Sequence, residues 1–290
     1  MIVLGIESSC DETAAALLKD GHTLLSNVVA SQIPIHSNFG GVVPELASRE
    51  HLDNICSTVE ECLIRAGISW NKIDAISVTR GPGLMGALLV GMAYAKGLAY
   101  SLDLPCVGTN HLEGHICSVL LNHPKAKLPA LSLVVSGGHT SLFHFQRIGC
   151  YKEICKTRDD AAGEALDKLS KHLGLGYPGG PVIDKLAPNG NPNAVSFTIP
   201  KISDGTLDFS FSGIKAAALR YLHLNNISPI ETNSPQTPED IPQSILDLVA
   251  SYQSSIIDQL LDRLTKALVG RKICSIQISG GVSCNSELRR

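Results

Sequence analysis

The sequence predicts an α/β protein built from two copies of one supersecondary plan. Three observations carry that expectation. Ile2–Leu18 runs as an apolar strand, a turn of Gly, Ser, Asp and Glu residues and a second apolar strand, and Leu131–Phe145 repeats the plan as LSLVV, SGGH and TSLFHF. Each hairpin is followed by segments with helical spacing. The chain has 290 residues, 44% of them hydrophobic, which is enough for two cores. The predicted boundary falls in the polar stretch NHPKAKL, giving an N-terminal domain over 1–125 and a second domain over 126–290.

In chain order, Pro44–Gly67 has helical spacing, with Leu46, Leu52, Ile55, Val59, Leu63 and Ile64 on the apolar side. DAISVT, 74–79, predicts a buried strand that runs into the turn RGPGLMG and a small-residue helix to about Ala99. Cys106–Thr109 predicts a short strand leading into a helix that starts at His111. In the second half, Ala161–Leu173 and the end of TLDFSFSGIKAAALRYL predict helices, and the polar, Pro-rich stretch 225–239 predicts a loop. Asp240 is the predicted N-cap of a long helix that runs to about Val269. Its buried side is Ile245, Leu248, Val249, Tyr252, Ile256, Leu260 and Leu264, and Gly270 stops it. Ile273–Ser279 predicts a last buried strand, turned by Gly280 and Gly281.

Bulk composition narrows the function classes. A net charge of −3 is not that of a stand-alone nucleic-acid binder, so an RNA substrate would need a local basic patch or a partner. Nine scattered cysteines with no C-x-x-C pair indicate a reducing compartment. MIVLGIESS lacks the form of a signal peptide, and no stretch reads as a membrane span, so a soluble cytoplasmic protein without membrane contact is expected.

The chemistry-bearing motifs lie at the turns. His111 and His115 are four residues apart, so on a helix both imidazoles share one face and can reach one metal ion. Two half-buried helix histidines would have the same spacing. Glu113 makes the order H-x-E-x-H and falls about 160° around the helix from either histidine. That is not the place of the base in the zinc-peptidase motif H-E-x-x-H. SGGH, Ser136–His139, is a turn in which Gly137 and Gly138 permit close backbone approach and positive φ, suiting a phosphate or a plain hairpin equally. The first turn offers Asp11 and Glu12. Asp160, Glu164 and Asp167 share one helix side with Lys168 and Lys171, as on an exposed ion-pair face.

Taken together, these motifs resemble one family. GIESSCDETAAA at the start, GGVVPELASREH, RGPG, the run from Lys96 through Asp103 and Pro105 to H-x-x-G-H-I, SGGH, D-A-A-G-E-A-x-D-K, YPGGP and SGGVSCNSELR follow in order. They are similar to the tRNA N6-adenosine threonylcarbamoyltransferases (TsaD), once called glycoproteases. The resemblance implies two domains of the actin, sugar-kinase and heat-shock ATPase superfamily with a nucleotide cleft between them. It implies transfer of threonylcarbamoyl from threonylcarbamoyl-AMP to N6 of the adenosine 3′ of the anticodon in tRNAs that read codons beginning with A.

By the same resemblance His111 and His115 bind one divalent metal per subunit, iron favoured over zinc. Val135, Ser136, Gly137, Gly138 and His139 line the adenylate pocket. Asp167, Gly180, Asp184 and Asn285 bind the rest of the donor, and Asp11 or Glu12 handles the proton of the attacking amine. RGPG is expected to serve domain closure and partner contact, and GGVVPELASREH the tRNA face. Implied partners are tRNA, a TsaB-like paralogous subunit and a TsaE-like ATPase.

One departure is visible. The family continues past this point into a C-T-D-N-type loop whose Asp is a third metal ligand, whereas the sequence ends at Arg290, nine residues beyond Gly281. The expectation is a truncated form with weak metal binding. The alternative function is a non-catalytic nucleotide-binding homologue, ahead of a metallopeptidase or a small-molecule kinase.

Overall fold

The structure is a computed structural model that describes residues 1–200, 202–230 and 237–290. Backbone contacts divide the chain into two units, Met1–Lys125 and Ala126–Arg290. Part of the loop expected over 225–239 lies outside the described residues.

The first unit holds strands β1 (Ile2–Glu7), β2 (Glu12–Lys19), β3 (Thr23–Ser31), β4 (Ala75–Gly81) and β5 (Cys106–Asn110), in the order β3-β2-β1-β4-β5. β1 to β3 form an antiparallel meander, and β4 and β5 add in parallel. Helices α1 (Ile33–His36), α2 (Pro44–Ala66), α3 (Met85–Leu102) and α4 (His111–Asn122) complete it. The second unit repeats the scheme with β6 (Ala130–Val135), β7 (Thr140–Arg147), β8 (Cys150–Lys156) and β9 (Ser275–Ser279), in the order β8-β7-β6-β9. β6 to β8 are antiparallel and β9 lies parallel to β6. Its helices are α5 (Ala162–Leu173), α6 (Gly179–Leu186), α7 (Ser212–Leu224), α8 (Gln243–Leu268) and α9 (Ser286–Arg289). Two mixed sheets share the meander-plus-parallel-strand order of the duplicated actin-like plan, the first extended by β5 at its edge. The sequence reading missed the third meander strand of each unit, β3 and β8; in β3 the buried face carries Ser26 beside Val28 while Leu24 and Val29 are exposed, so its apolar pattern does not follow its buried face.

Sequence explains the cores. β6, ALSLVV, is buried along its whole length, as expected for a strand covered on both faces. All seven residues expected on the inner side of α8 are buried, and they join Phe209, Phe211 and the α5 leucines in one core. In α2 the inner side is Ala47, His51, Ile55, Val59, Cys62 and Leu63, whereas Leu52 and Ile64 point outward, 63% and 73% exposed. The apolar stripe there includes a histidine and a cysteine, which a hydrophobic count passes over.

Two further expectations are corrected. Asp240 does not cap α8; it accepts hydrogen bonds from Thr237 N–H and Oγ1 in a preceding 3₁₀ turn, and Pro242 occupies the N-cap position. Met85–Leu102 is long and apolar enough, by length and composition, to cross a membrane. In this fold it packs on α2 and β4, burying Ala87, Leu88, Gly91, Ala95 and Ala99.

Candidate active site

The candidate residues fall into two groups, one at the strand ends of each unit.

In the first unit, β5 delivers the chain to α4, whose N-cap Asn110 accepts from the N–H groups of Leu112 and Glu113. His111 is therefore fixed at the first helical position, and His115 stands one turn on. Their ring centroids are 4.6 Å apart with planes at 78°. His111 Nδ1 lies 3.1 Å from Glu7 Oε2 and 3.1 Å from Ser9 Oγ. Glu7, the last residue of β1, also accepts from Thr79 Oγ1 at 2.6 Å and from Ser9 N–H at 2.5 Å. Burial opposes ionisation of Glu7, but the hydrogen bonds from His111, Thr79 and Ser9 outweigh it and bring its pKa down to about 2. Glu7 is thus a fixed carboxylate beside His111. Sequence reading passed over it because it ends a strand instead of lying in the polar turn. Its position in β1, one residue before two buried serines, was the available signal.

The turn after β1 is fixed by its neighbours. Ser8 Oγ donates to Ala87 O, Leu84 N–H to Ser9 O, and Gln32 N–H to Asp11 O. A Cβ on Gly83 would lie 2.4 Å from Ser9 O, so RGPG docks directly beneath this turn. The fully buried His51 touches Cys10 O at 3.0 Å and Thr13 Oγ1 at 2.7 Å. Asp11 and Glu12 project from this turn. Burial, and then the charges of Asp11 and Glu7, raise the Glu12 pKa, a shift that suits a proton acceptor. Desolvation, and then the charge of Asp11, push the Cys10 thiol up to about 12, away from its thiolate form.

In the second unit, β6 and β7 are joined by Ser136–His139. Ser136 N–H donates to His139 O at 2.8 Å, and His139 N–H donates to Ser136 Oγ at 3.0 Å, closing the turn on itself. Neither Gly137 nor Gly138 has the positive φ expected of them; instead, a Cβ on either would meet nothing within 4 Å. The start of α5 lies against the turn. Gly163 N–H donates to Ser136 O, and a Cβ on Gly163 would come within 2.6 Å of that oxygen and 2.9 Å of Gly137 Cα. Gly280, at φ +90°, closes the same region from β9, its Cβ direction 2.3 Å from Val135 O.

Asp160 and Glu164 behave as an ion-pair group. Lys168 Nζ reaches both, at 2.6 and 2.8 Å, and Lys215 Nζ reaches Asp160 at 2.5 Å. Asp167 differs. Its Oδ1 accepts from Gly179 N–H at 2.6 Å and Gly180 N–H at 3.3 Å, tying α5 to the start of α6. Asp184 accepts from Ser286 N–H and Oγ. The buried Asn285 donates to Gln253 Oε1 and accepts from Leu288 N–H. Each of these three expected ligand contacts therefore also holds two elements together.

The donor set of the first unit suits part of a metal site. Two imidazoles share one helix face, and a carboxylate lies 3.1 Å from Nδ1 of His111, the kind of outer partner that histidine ligands commonly have. Among the described residues no group of three or more His, Cys, Asp or Glu side chains converges for a metal.

The profile of the TsaD family, described as tRNA N6-adenosine threonylcarbamoyltransferase, matches residues 23–290. This chain belongs to that family. A tRNA N6-adenosine threonylcarbamoyltransferase of Clostridium perfringens is 52% identical over 99% of this chain and 82% of its own length. One from Geobacter sp. is 49% identical over 100% of this chain and 81% of its own. Among solved structures, component A of the (R)-2-hydroxyglutaryl-CoA dehydratase of Acidaminococcus fermentans superposes with a TM-score of 0.54 at 15% identity, over 100% of this chain and 86% of that one. At that identity the likeness is one of fold alone. The family is one of transferases, and the pattern H-x-E-x-H accords with that assignment.

Proposed function

We propose that this chain transfers the threonylcarbamoyl group from threonylcarbamoyl-AMP to N6 of the adenosine 3′ of the anticodon in tRNAs reading codons that begin with A. Identity of about half the residues across nearly the whole chain, to relatives named for that reaction, carries the reading. The adenylate binds on Val135–His139, where the space beside Gly137 and Gly138 admits a phosphate against the backbone. Asp167, Gly180, Asp184 and Asn285 bind the rest of the donor. His111 and His115 hold a divalent metal, iron in preference to zinc; when bound, it polarises oxygens of the threonylcarbamoyl-phosphate group.

The N6 amine attacks the carbamoyl carbon, the bond from that carbon to the phosphate oxygen breaks, and AMP leaves. Glu12, its pKa raised, or Asp11 takes the amine proton. The reaction runs in the cytoplasm with a TsaB-like paralogue and a TsaE-like ATPase. The test is incorporation of labelled threonine, with bicarbonate and ATP, into unmodified tRNA in the presence of the partner proteins. Label in tRNA supports the reading; proteolysis that depends on Glu113, with no label in RNA, overturns it.

A further inference from the structure

We infer that Glu7 is the positioning residue of the metal site: it holds His111 in the tautomer that carries its proton on Nδ1 and keeps Nε2 bare for the metal. The inference rests on the reading of His111 as a metal ligand. Nδ1 of His111 lies 3.1 Å from both Ser9 Oγ and Glu7 Oε2, and the two constrain it differently. The Ser9 hydroxyl can donate to a bare Nδ1 or accept from a protonated one. An ionised carboxylate can only accept, so a hydrogen bond to Glu7 requires Nδ1–H. With Ser9 alone, the serine proton can occupy Nδ1 and the ring proton moves to Nε2, which blocks ligation there. Glu7 removes that choice.

The carboxylate is itself fixed from two elements. Thr79 at the end of β4 donates to Oε2, the oxygen facing His111, and Ser9 N–H donates to Oε1. With His111 19% and Glu7 33% exposed at the side chain, the pair is partly shielded from water, so the geometry set by β1, β4 and α4 persists before any metal arrives. A carboxylate in this position also raises the basicity of the ligating nitrogen.

The experiment uses the whole chain, metal-free, labelled with ¹⁵N at histidine. Imidazole ¹⁵N spectra of the wild type should show His111 with Nδ1 protonated and Nε2 bare. In Glu7→Ala the His111 signal should shift toward the Nε2–H tautomer while circular dichroism stays that of the wild type. Titration with Co²⁺ alone should show binding weakened about 10- to 100-fold in Glu7→Ala, the range for losing such an outer partner. Glu7→Gln, whose amide oxygen still accepts from Nδ1–H, should fall between the two and serves if the alanine variant does not fold.

A wild-type spectrum with the proton on Nε2 overturns the inference. So does a Glu7→Ala protein whose tautomer and Co²⁺ affinity match the wild type while His111→Ala abolishes binding; the metal reading then survives alone. If His111→Ala leaves Co²⁺ binding unchanged, the metal reading fails and this inference falls with it.

Discussion

The two hairpin turns share a scaffold and differ in how they are held. The turn after β1 is fixed from outside, by His51, Gln32, Leu84 and Ala87, and it presents side chains: Asp11, Glu12 and, just before it, Glu7 with His111. The turn after β6 is closed by its own Ser136 and His139, is clamped through the glycines at 163 and 280, and presents backbone and empty space. The first turn thus exposes charged groups that need several donors each, supplied by the surroundings, and the second exposes backbone with open space beside Gly137 and Gly138.

The largest effect expected from breaking this comparison is on the first turn. His111→Ala should reduce threonine incorporation into tRNA by more than about 100-fold, beyond the loss typical of an outer-shell partner, while the protein stays folded and melts only a few degrees lower, because Glu7 loses one of its partners. Steady-state incorporation and a thermal melt measured side by side check both halves. Residual transfer above one tenth of wild type would remove His111 from the chemistry.

The second turn should respond in binding. Gly138→Ala adds one methyl group to open space at a residue without positive φ, so the fold should tolerate it. Adenylate binding, measured by calorimetry with AMP as the probe, should weaken about tenfold, the equivalent of about 1.4 kcal/mol. Unchanged binding would make SGGH a plain hairpin turn.

The ion-pair group near α5 sharpens the contrast by pH. Burial disfavours the Asp160 carboxylate, but Lys168 and Lys215 outweigh it and hold its pKa below the ordinary value. A depressed folded pKa contributes stability above the unfolded pKa, near 4, and that stability is lost as pH falls through the folded value. Asp160→Asn should therefore cost about 1–2 kcal/mol at pH 7, discounted for the partial exposure of Lys168, and melt a few degrees lower. The difference from wild type should shrink as pH falls below about 4. A gap that is constant from pH 7 to pH 3 would contradict the assignment.

The smallest effect belongs to Glu113. Glu113→Ala should keep transfer within about twofold of wild type, since a substitution away from the chemistry shifts free energy by about 0.5 kcal/mol or less. A loss like that of His111→Ala would restore a catalytic base to this helix.

Local pattern determined much of this protein. The paired hairpins, the strand before RGPG, α5, α8 and the helix starting at His111 were all legible, because apolar period, turn glycines and the spacing of two histidines are properties of short segments. What only the tertiary structure decided involves residues distant in sequence. The inner face of α2 is set by His51 and Cys62 because Cys10, Thr13 and Ser26 meet them there. Asp167 is separated from Asp160 and Glu164, its neighbours in the pattern, because the N–H groups of α6 arrive beside it. Glu7 stands next to His111, 104 residues later, because parallel pairing of β1 with β4 and of β4 with β5 brings the ends of those strands together. Hydrophobic period specifies which face of an element is buried; it carries no information about which polar group from another element will meet it, and that pairing fixes the hydrogen-bond partners of the candidate site residues.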